Sequence, residues 1–243
     1  MLNHISHSRT RKLHLAVLSA AAVTLGSFAM SAHADVIADW TFETSAPATA
    51  GPFAPEIGQS TATAEGFHAG TTVYSSPVGN GSTHSYSSTN WATGDYYEFD
   101  VNTTGVTGLG LSFDQTGSAT GPKQFKIEYN LGSGWVDLTG GSYNIANTTT
   151  TASAGTTSIG WNTSPSIPQS NLSFDLSTLT GLTGIRIVDI GTSAIGTATA
   201  IGTGGTIRVD NVTFSGTAAP EPATAAIAAV GAAFMIGRRR RAQ

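Results

Sequence analysis

The sequence predicts an all-β fold, an antiparallel β-sandwich of jelly-roll-like shape over residues 35–216. Apolar side chains recur at every second position in run after run, clusters of Gly, Ser, Thr and Asn separate the runs, and no stretch between Asp35 and Pro222 carries a helical face. A period of two is the pattern of a strand with one dry and one wet face, and β-branched and aromatic residues suit its pleated surface. Short strands alternating with turn signals point to a sandwich rather than to βαβ units.

The elements follow in order. Ile37 to Glu43 (Ile-Ala-Asp-Trp-Thr-Phe-Glu) reads as the opening strand. Tyr97, Phe99 and Val101 alternate with Glu98 and Asp100, and Leu109, Leu111 and Phe113 alternate with small or polar residues. Phe125, Ile127, Tyr129 and Leu131 then alternate with Lys126, Glu128 and Asn130. Gly132-Ser133-Gly134, before Trp135, predicts a tight hairpin. Residues 147–168 are rich in Thr and Ser and longer than an ordinary connection, which predicts a surface loop. Leu172, Phe174 and Leu176 form a further run, followed by Ile185 with Ile187 and by Ile207 with Val209. The final run, Ile207 to Phe214, changes phase at Asp210-Asn211, the signature of a β-bulge. At least eight strands are expected.

Both ends of the chain differ from this body. Arg9, Arg11 and Lys12 precede an apolar stretch from Leu15 to Met30, and Ala32-His33-Ala34 follows. A basic, then apolar, then small-x-small order is that of a secretory signal peptide. Residues 1–34 are therefore expected to be removed by signal peptidase between Ala34 and Asp35. At the other end, Pro220-Glu221-Pro222 precedes an uncharged segment from Ala223 to Ile236, and Arg238, Arg239, Arg240 and Arg241 close the tail. An apolar segment ending in cations is a stop-transfer arrangement that keeps the arginines cytoplasmic. At 1.5 Å per residue it reaches only about 21 Å of a roughly 30 Å hydrocarbon core, which suits a short, transient membrane anchor.

Pro220-Glu221-Pro222, the apolar helix and the arginine run together resemble the PEP-CTERM sorting signal of exopolysaccharide-producing bacteria. The resemblance covers residues 220–243 and implies recognition by an exosortase, a membrane transpeptidase-like enzyme that processes the tail near the Pro-Glu-Pro motif. The segment Gly205 to Gly216 (Gly-Thr-Ile-Arg-Val-Asp-Asn-Val-Thr-Phe-Ser-Gly) is similar to the closing strand of discoidin- or carbohydrate-binding-type jelly rolls, with residues 37–43 as the matching first strand. Three parts are thus expected: a signal peptide (1–34), an ectodomain (35–216) and a sorting and anchor tail (217–243).

Charge and composition narrow the partners. Between Asp35 and Ala219 there are four basic residues against fourteen acidic ones, a net −10 that the basic ends mask as −4 for the whole chain. So acidic a body does not suit nucleic acid. With no cysteine, disulfides and thiolate metal sites are excluded.

Catalytic motifs are missing. No His-Glu-x-x-His, Gly-x-Ser-x-Gly or phosphate-cradling loop occurs, and His68 and His84, the histidines beyond the signal segment, have no ligand at metal spacing. Two carboxylates suffice for a glycosidase, and Glu98 with Glu128 is a conceivable pair, but outer-face carboxylates that keep a sheet soluble are the simpler reading. No catalytic residues are assigned and no enzyme is expected. Asp39 and Glu43 in the expected first strand, with Asp210 and Asn211 in the last, form a candidate Ca2+ site if the terminal strands pair, since calcium takes hard oxygen ligands. Surface carboxylates without an ion are the alternative. Trp91, Trp135 and Trp161 sit beside Gly/Ser/Thr-rich segments and are candidates for stacking on sugar rings. The expected function is that of an exported cell-surface or extracellular-matrix protein with a binding or structural role. The alternatives are a carbohydrate-binding module with a defined glycan site, and a secreted polysaccharide hydrolase or lyase.

Overall fold

The computed structural model describes residues 34–145, 149–152, 155–158, 161, 171–196 and 200–218. Most of the signal segment, including Ala32, lies outside the described residues, as does the tail with Pro220, Glu221, Pro222, the apolar segment 223–236 and Arg238 to Arg241. Of the cleavage residues, Ala34 is exposed and Asp35 opens the first strand.

The described residues form strands and no helix: β1 (Asp35–Trp40), β2 (Ile57–Gly58), β3 (Thr63–Phe67), β4 (Tyr74–Ser75), β5 (Tyr86–Thr89), β6 (Tyr96–Asp100), β7 (Val106–Gly117), β8 (Gln124–Asn130), β9 (Trp135–Asn144), β10 (Thr149–Ala152), β11 (Gly155–Ser158), β12 (Asn171–Asp175), β13 (Gly184–Asp189) and β14 (Thr206–Ala218). Among them no helix is long and apolar enough to cross a membrane. A seven-stranded sheet runs β12-β7-β14-β1-β2, with β5 also on β14 and β4 on β5; a five-stranded sheet runs β3-β6-β13-β8-β9. The pairings are antiparallel. The chain changes sheet between β6 and β7, β7 and β8, β12 and β13, and β13 and β14, the alternation of a jelly-roll-like sandwich.

The period-two runs supply the core. Tyr97, Phe99, Phe125, Ile127, Ile185 and Ile187 of the five-stranded sheet are fully buried, as are Leu111, Phe113, Val212 and Phe214 of the other. Trp40 meets Phe99 and Phe214 edge-on, with centroids 5.3 and 6.1 Å apart. Each large side chain so buried contributes about 1.5–3 kcal/mol.

Strand β14 organises the larger sheet. One edge follows β7; the other is divided between β5, opposite Thr206–Val209, and β1, opposite Val212–Gly216. The first and last strands are therefore neighbours. The division falls at the expected bulge, where the register shifts after Asp210 and Asn211 takes a φ of 50°. The expected hairpin is also present: Asn130 pairs with Trp135, and its Oδ1 accepts from the amides of Gly132 (2.7 Å) and Gly134 (3.2 Å). The expectation of a plain loop over 147–168 needs correction. β10 and β11 lie within it and pair with each other, as a Thr-rich segment with β-branched side chains can.

Candidate functional site

Antiparallel register arranges the outer face of the five-stranded sheet into cross-strand rows. One row reads Glu65, Glu98, Arg186, Glu128 and Asp137. The next reads Thr63, Asp100, Gly184, Asn130 and Trp135. Alternation sends Tyr97, Phe99, Ile185 and Ile187 inward and leaves these residues out.

Arg186 is the centre of the face. Its Nε donates to Glu98 Oε2 at 2.7 Å, and its guanidinium carbon lies 3.9 Å from the ring centroids of both Tyr96 and Trp135. Tyr96 stacks in turn on Phe67, with centroids 4.9 Å apart and planes at 16°. Phe67, Tyr96, Arg186 and Trp135 thus form one stack of planar groups drawn from β3, β6, β13 and β9. Phe67 is 48 % exposed, and Tyr96 and Trp135 are half-buried. Lys126 is committed too, to Glu128 (2.8 Å) and Asp137 (2.6 Å), and those two carboxylates raise its pKa.

Beside this stack lies a cleft of about 650 Å³, lined by Trp135 with Glu98, Asp100, Asn102, Asn130 and Thr183, among others. Gly184, with no side chain, lets two of these lining residues, Asp100 and Trp135, close over β13. A Cβ there would lie 2.6 Å from Asp100 Oδ1 and 3.0 Å from the Trp135 ring. Burial, and next the charges of Glu98 and Glu65, raise the pKa of Asp100. A held aromatic ring beside amide, hydroxyl and carboxylate groups can stack on a sugar face while hydrogen-bonding its hydroxyls.

The tryptophan candidates separate here. Trp135 presents itself at the cleft. Trp91 is only 5 % exposed, packed edge-on against His68, Tyr97 and Phe125 with its Nε1 donating to Ser88 O, and Trp161 is 6 % exposed. Neither offers a ring face to solvent, which corrects their reading as stacking platforms.

A second arrangement escaped the motif search because its parts are scattered. Ser88 Oγ lies 2.9 Å from His68 Nε2, and His68 Nδ1 lies 2.9 Å from Asp95 Oδ2. The order is that of a Ser-His-Asp triad. Its setting is not: the His68 and Asp95 side chains are 1 % and 0 % exposed, Ser88 is fully buried, and Ser88 Oγ is also 2.7 Å from Tyr97 Oη. Asp95 is held by the amides of Ala69 and Ala92, each at 2.8 Å. Burial lowers the His68 pKa against the opposing pull of Asp95. The chain ties β5 to the loops around it, and no substrate carbonyl can reach it. Glu98 and Glu128, the conceivable carboxylate pair, flank Arg186 in one row and are ion-paired to Arg186 and Lys126.

Of the candidate calcium ligands, the structure brings together Asp210 and Asn211. Asp210 Oδ2 accepts from the Asn80 amide and Ser82 Oγ, both at 2.7 Å, while Asn211 Nδ2 donates to Asp114 Oδ2 at 2.8 Å. Burial, aided by the Asp114 charge, pushes the Asp210 carboxyl up to about 7 despite three hydrogen bonds that favour its ionised form. Asp39 instead accepts from Thr213 Oγ1 (3.0 Å), and Glu43 accepts from the His84 amide (2.7 Å). The set is thus divided, and among the described residues no group of three or more His, Asp or Glu side chains is placed to hold a metal.

No protein-family model matches the chain, and none of the curated proteins does. Among solved structures it is similar to a mutant of a family 29 carbohydrate-binding module, at 12 % identity and a TM-score of 0.38 over 77 % of this chain and 94 % of that one. It is also similar to the K3 cleaved adhesin domain of Lys-gingipain from Porphyromonas gingivalis (12 %, 0.38, 74 % and 98 %). A third is the enzymatically active domain of a bacteriophage CBA120 tailspike protein (14 %, 0.34, 64 % and 19 %). Overlaps this loose leave the function to be read from the residues of this chain.

Proposed function

We propose that this chain is an exported, non-catalytic β-sandwich that binds polysaccharide at the cell surface or within an extracellular polymer matrix. The observation that carries the reading is Trp135: a half-exposed indole held from behind by Arg186 and bordering the cleft with Asp100, Asn130 and Thr183. Clamping an aromatic ring in advance lowers the entropy cost of stacking it on a ligand. The signal segment and the PEP-CTERM-like tail support export and sorting by an exosortase, with a transient membrane anchor whose arginines stay cytoplasmic.

The test is affinity electrophoresis of the full chain through gels containing a panel of soluble polysaccharides. At least one should retard the protein, and Trp135→Ala should abolish the retardation at a stability cost of only about 0.5–1 kcal/mol, that of one cation–π contact. Release of reducing ends or unsaturated products from any polysaccharide would replace this reading with that of a hydrolase or lyase.

A further inference from the structure

The same cleft also carries a selectivity. The outer face holds five carboxylates, Glu65, Glu98, Asp100, Glu128 and Asp137, against two cations, Arg186 and Lys126, a net −3. Both cations are spent. Arg186 is sandwiched between two rings and bound to Glu98, and Lys126 bridges Glu128 and Asp137. The remaining bases of the described residues lie elsewhere: Arg208 is on β14 of the other sheet, and Lys123 precedes β8 at the end away from Asn130. Asp100 lines the cleft, is exposed, and has no ion pair among the described residues; Glu98 and Glu65 outweigh the more weakly felt Arg186 in the field around it.

An anionic sugar entering beside Trp135 would find no free cation among the described residues and would meet the Asp100 carboxylate. A neutral sugar would gain only the ring and the amides. An amino sugar would add an ammonium within reach of Asp100, with the indole face favouring a cation as well. We infer that the cleft beside Trp135 selects polymers of amino sugars with free, cationic amines over neutral and uronic-acid polymers, an inference that rests on the glycan-binding reading above. The site itself is defined by the indole and the cleft bordered by Asn102, Asn130 and Thr183; Asp100 decides what enters it.

Calorimetric titration of the full chain with hexamers of glucosamine, N-acetylglucosamine, glucose and a uronic acid tests this. At low salt the glucosamine hexamer should bind about fivefold more tightly than its acetylated counterpart, the scale of one partly exposed ion pair. That advantage should vanish with Asp100→Asn and at high salt, which screens exposed charges. Trp135→Ala should remove both interactions. Equal affinity for the two hexamers, or tighter binding of the uronic acid, with Trp135 still required, overturns the selectivity and leaves the glycan-binding reading standing. Glucosamine binding that ignores Trp135→Ala is adhesion to an acidic surface and also overturns it. If no hexamer binds in a Trp135-dependent way, the glycan-binding reading itself falls.

Discussion

Arg186 sets its guanidinium carbon 3.9 Å from the centroid of the Trp135 ring and uses the same group to bind Glu98. The cation is therefore a brace for the ring, and its planarity matters as much as its charge. Arg186→Lys keeps the charge and loses the stack on both Tyr96 and Trp135. A cost of about 1–2 kcal/mol in urea unfolding is expected, from two cation–π contacts and a weakened ion pair. Glycan affinity should fall with it, because Trp135 would no longer be held. Unchanged unfolding and unchanged affinity would show that the stack is idle.

Trp91 and Trp135 should respond oppositely to truncation. Trp91→Ala empties a site enclosed by His68, Tyr97 and Phe125 and should cost about 3–5 kcal/mol of stability. Trp135→Ala should cost only about 0.5–1 kcal/mol, the cation–π contact with Arg186, and remove glycan retention. Differential scanning calorimetry beside affinity electrophoresis separates the two.

Ser88 should be chemically silent. An organofluorophosphonate probe that labels activated serines should leave it unmodified in the folded protein, since its hydroxyl is buried against His68 and Tyr97. His68→Ala, by contrast, removes a hydrogen bond to the buried Asp95 carboxylate, which keeps the Ala69 and Ala92 amides, and should cost about 1.5–3 kcal/mol. Stoichiometric labelling of Ser88, read by mass spectrometry, would show that the triad opens.

Asp189 gives a pH dependence with a defined sign. It is fully buried, Oδ1 accepts from the Gly191 amide at 2.8 Å, and Oδ2 has no partner among the described residues. Burial first, with Asp95 adding to it, pushes its pKa up to about 6 from the ordinary 3.8. Because the folded state then holds the proton more tightly than the unfolded one, its stability contribution is fully present below about pH 4 and is lost as pH rises through about 6. Asp210, pushed up to about 7, extends the same decline. Asp189→Asn should flatten the part of the curve below about pH 6 and leave the protein no less stable at pH 8, because a buried amide costs less than a buried charge. Unfolding curves at several pH values would show it.

The tail gives a prediction independent of the sandwich. Replacing Arg238, Arg239, Arg240 and Arg241 with serine removes insertion penalties of about 2.5–3.5 kcal/mol each and should release unprocessed protein. Glu221→Ala should leave the protein anchored but poorly processed. Intact-mass analysis in a host with an exosortase decides; a species running from Asp35 through Gln243 would mark a plain anchor.

What could be read from the sequence was local. Alternation located the strands, and the phase change at Asp210-Asn211 located the bulge, because both follow from a two-residue repeat against one buried face. The pairing of the first and last strands came from a resemblance and proved right in outline. The difference between Trp91 and Trp135 could not be read, since both sit beside Gly, Ser and Thr and differ in what lies opposite them after folding. The Ser88, His68 and Asp95 contacts and the place of Arg186 between rings from β6 and β9 depend on register across strands far apart in sequence. Arg186 did leave one trace: a lone base between Ile185 and Ile187, within the apolar run of a strand that ends at Asp189.

The chain enters the sandwich at Asp35 and leaves it at Ala218 from one end, because Asp35 pairs with Gly216 and Val106 pairs with Ala218. The cleft is at that end as well: Thr104 and Asn102 of its lining directly precede β7, and the Asn102 amide donates to Gln59 Oε1 at 3.0 Å beside β2. On the proposed function, grip and tether would therefore be neighbours. When a gripped polymer is dragged against a chain held beyond Ala218, the load runs through a short bridge between the β6–β7 turn and the end of β14, and most of the hydrophobic core is out of the line of force. Traction at this site would test the last few rungs of β14 and spare the rest of the sandwich.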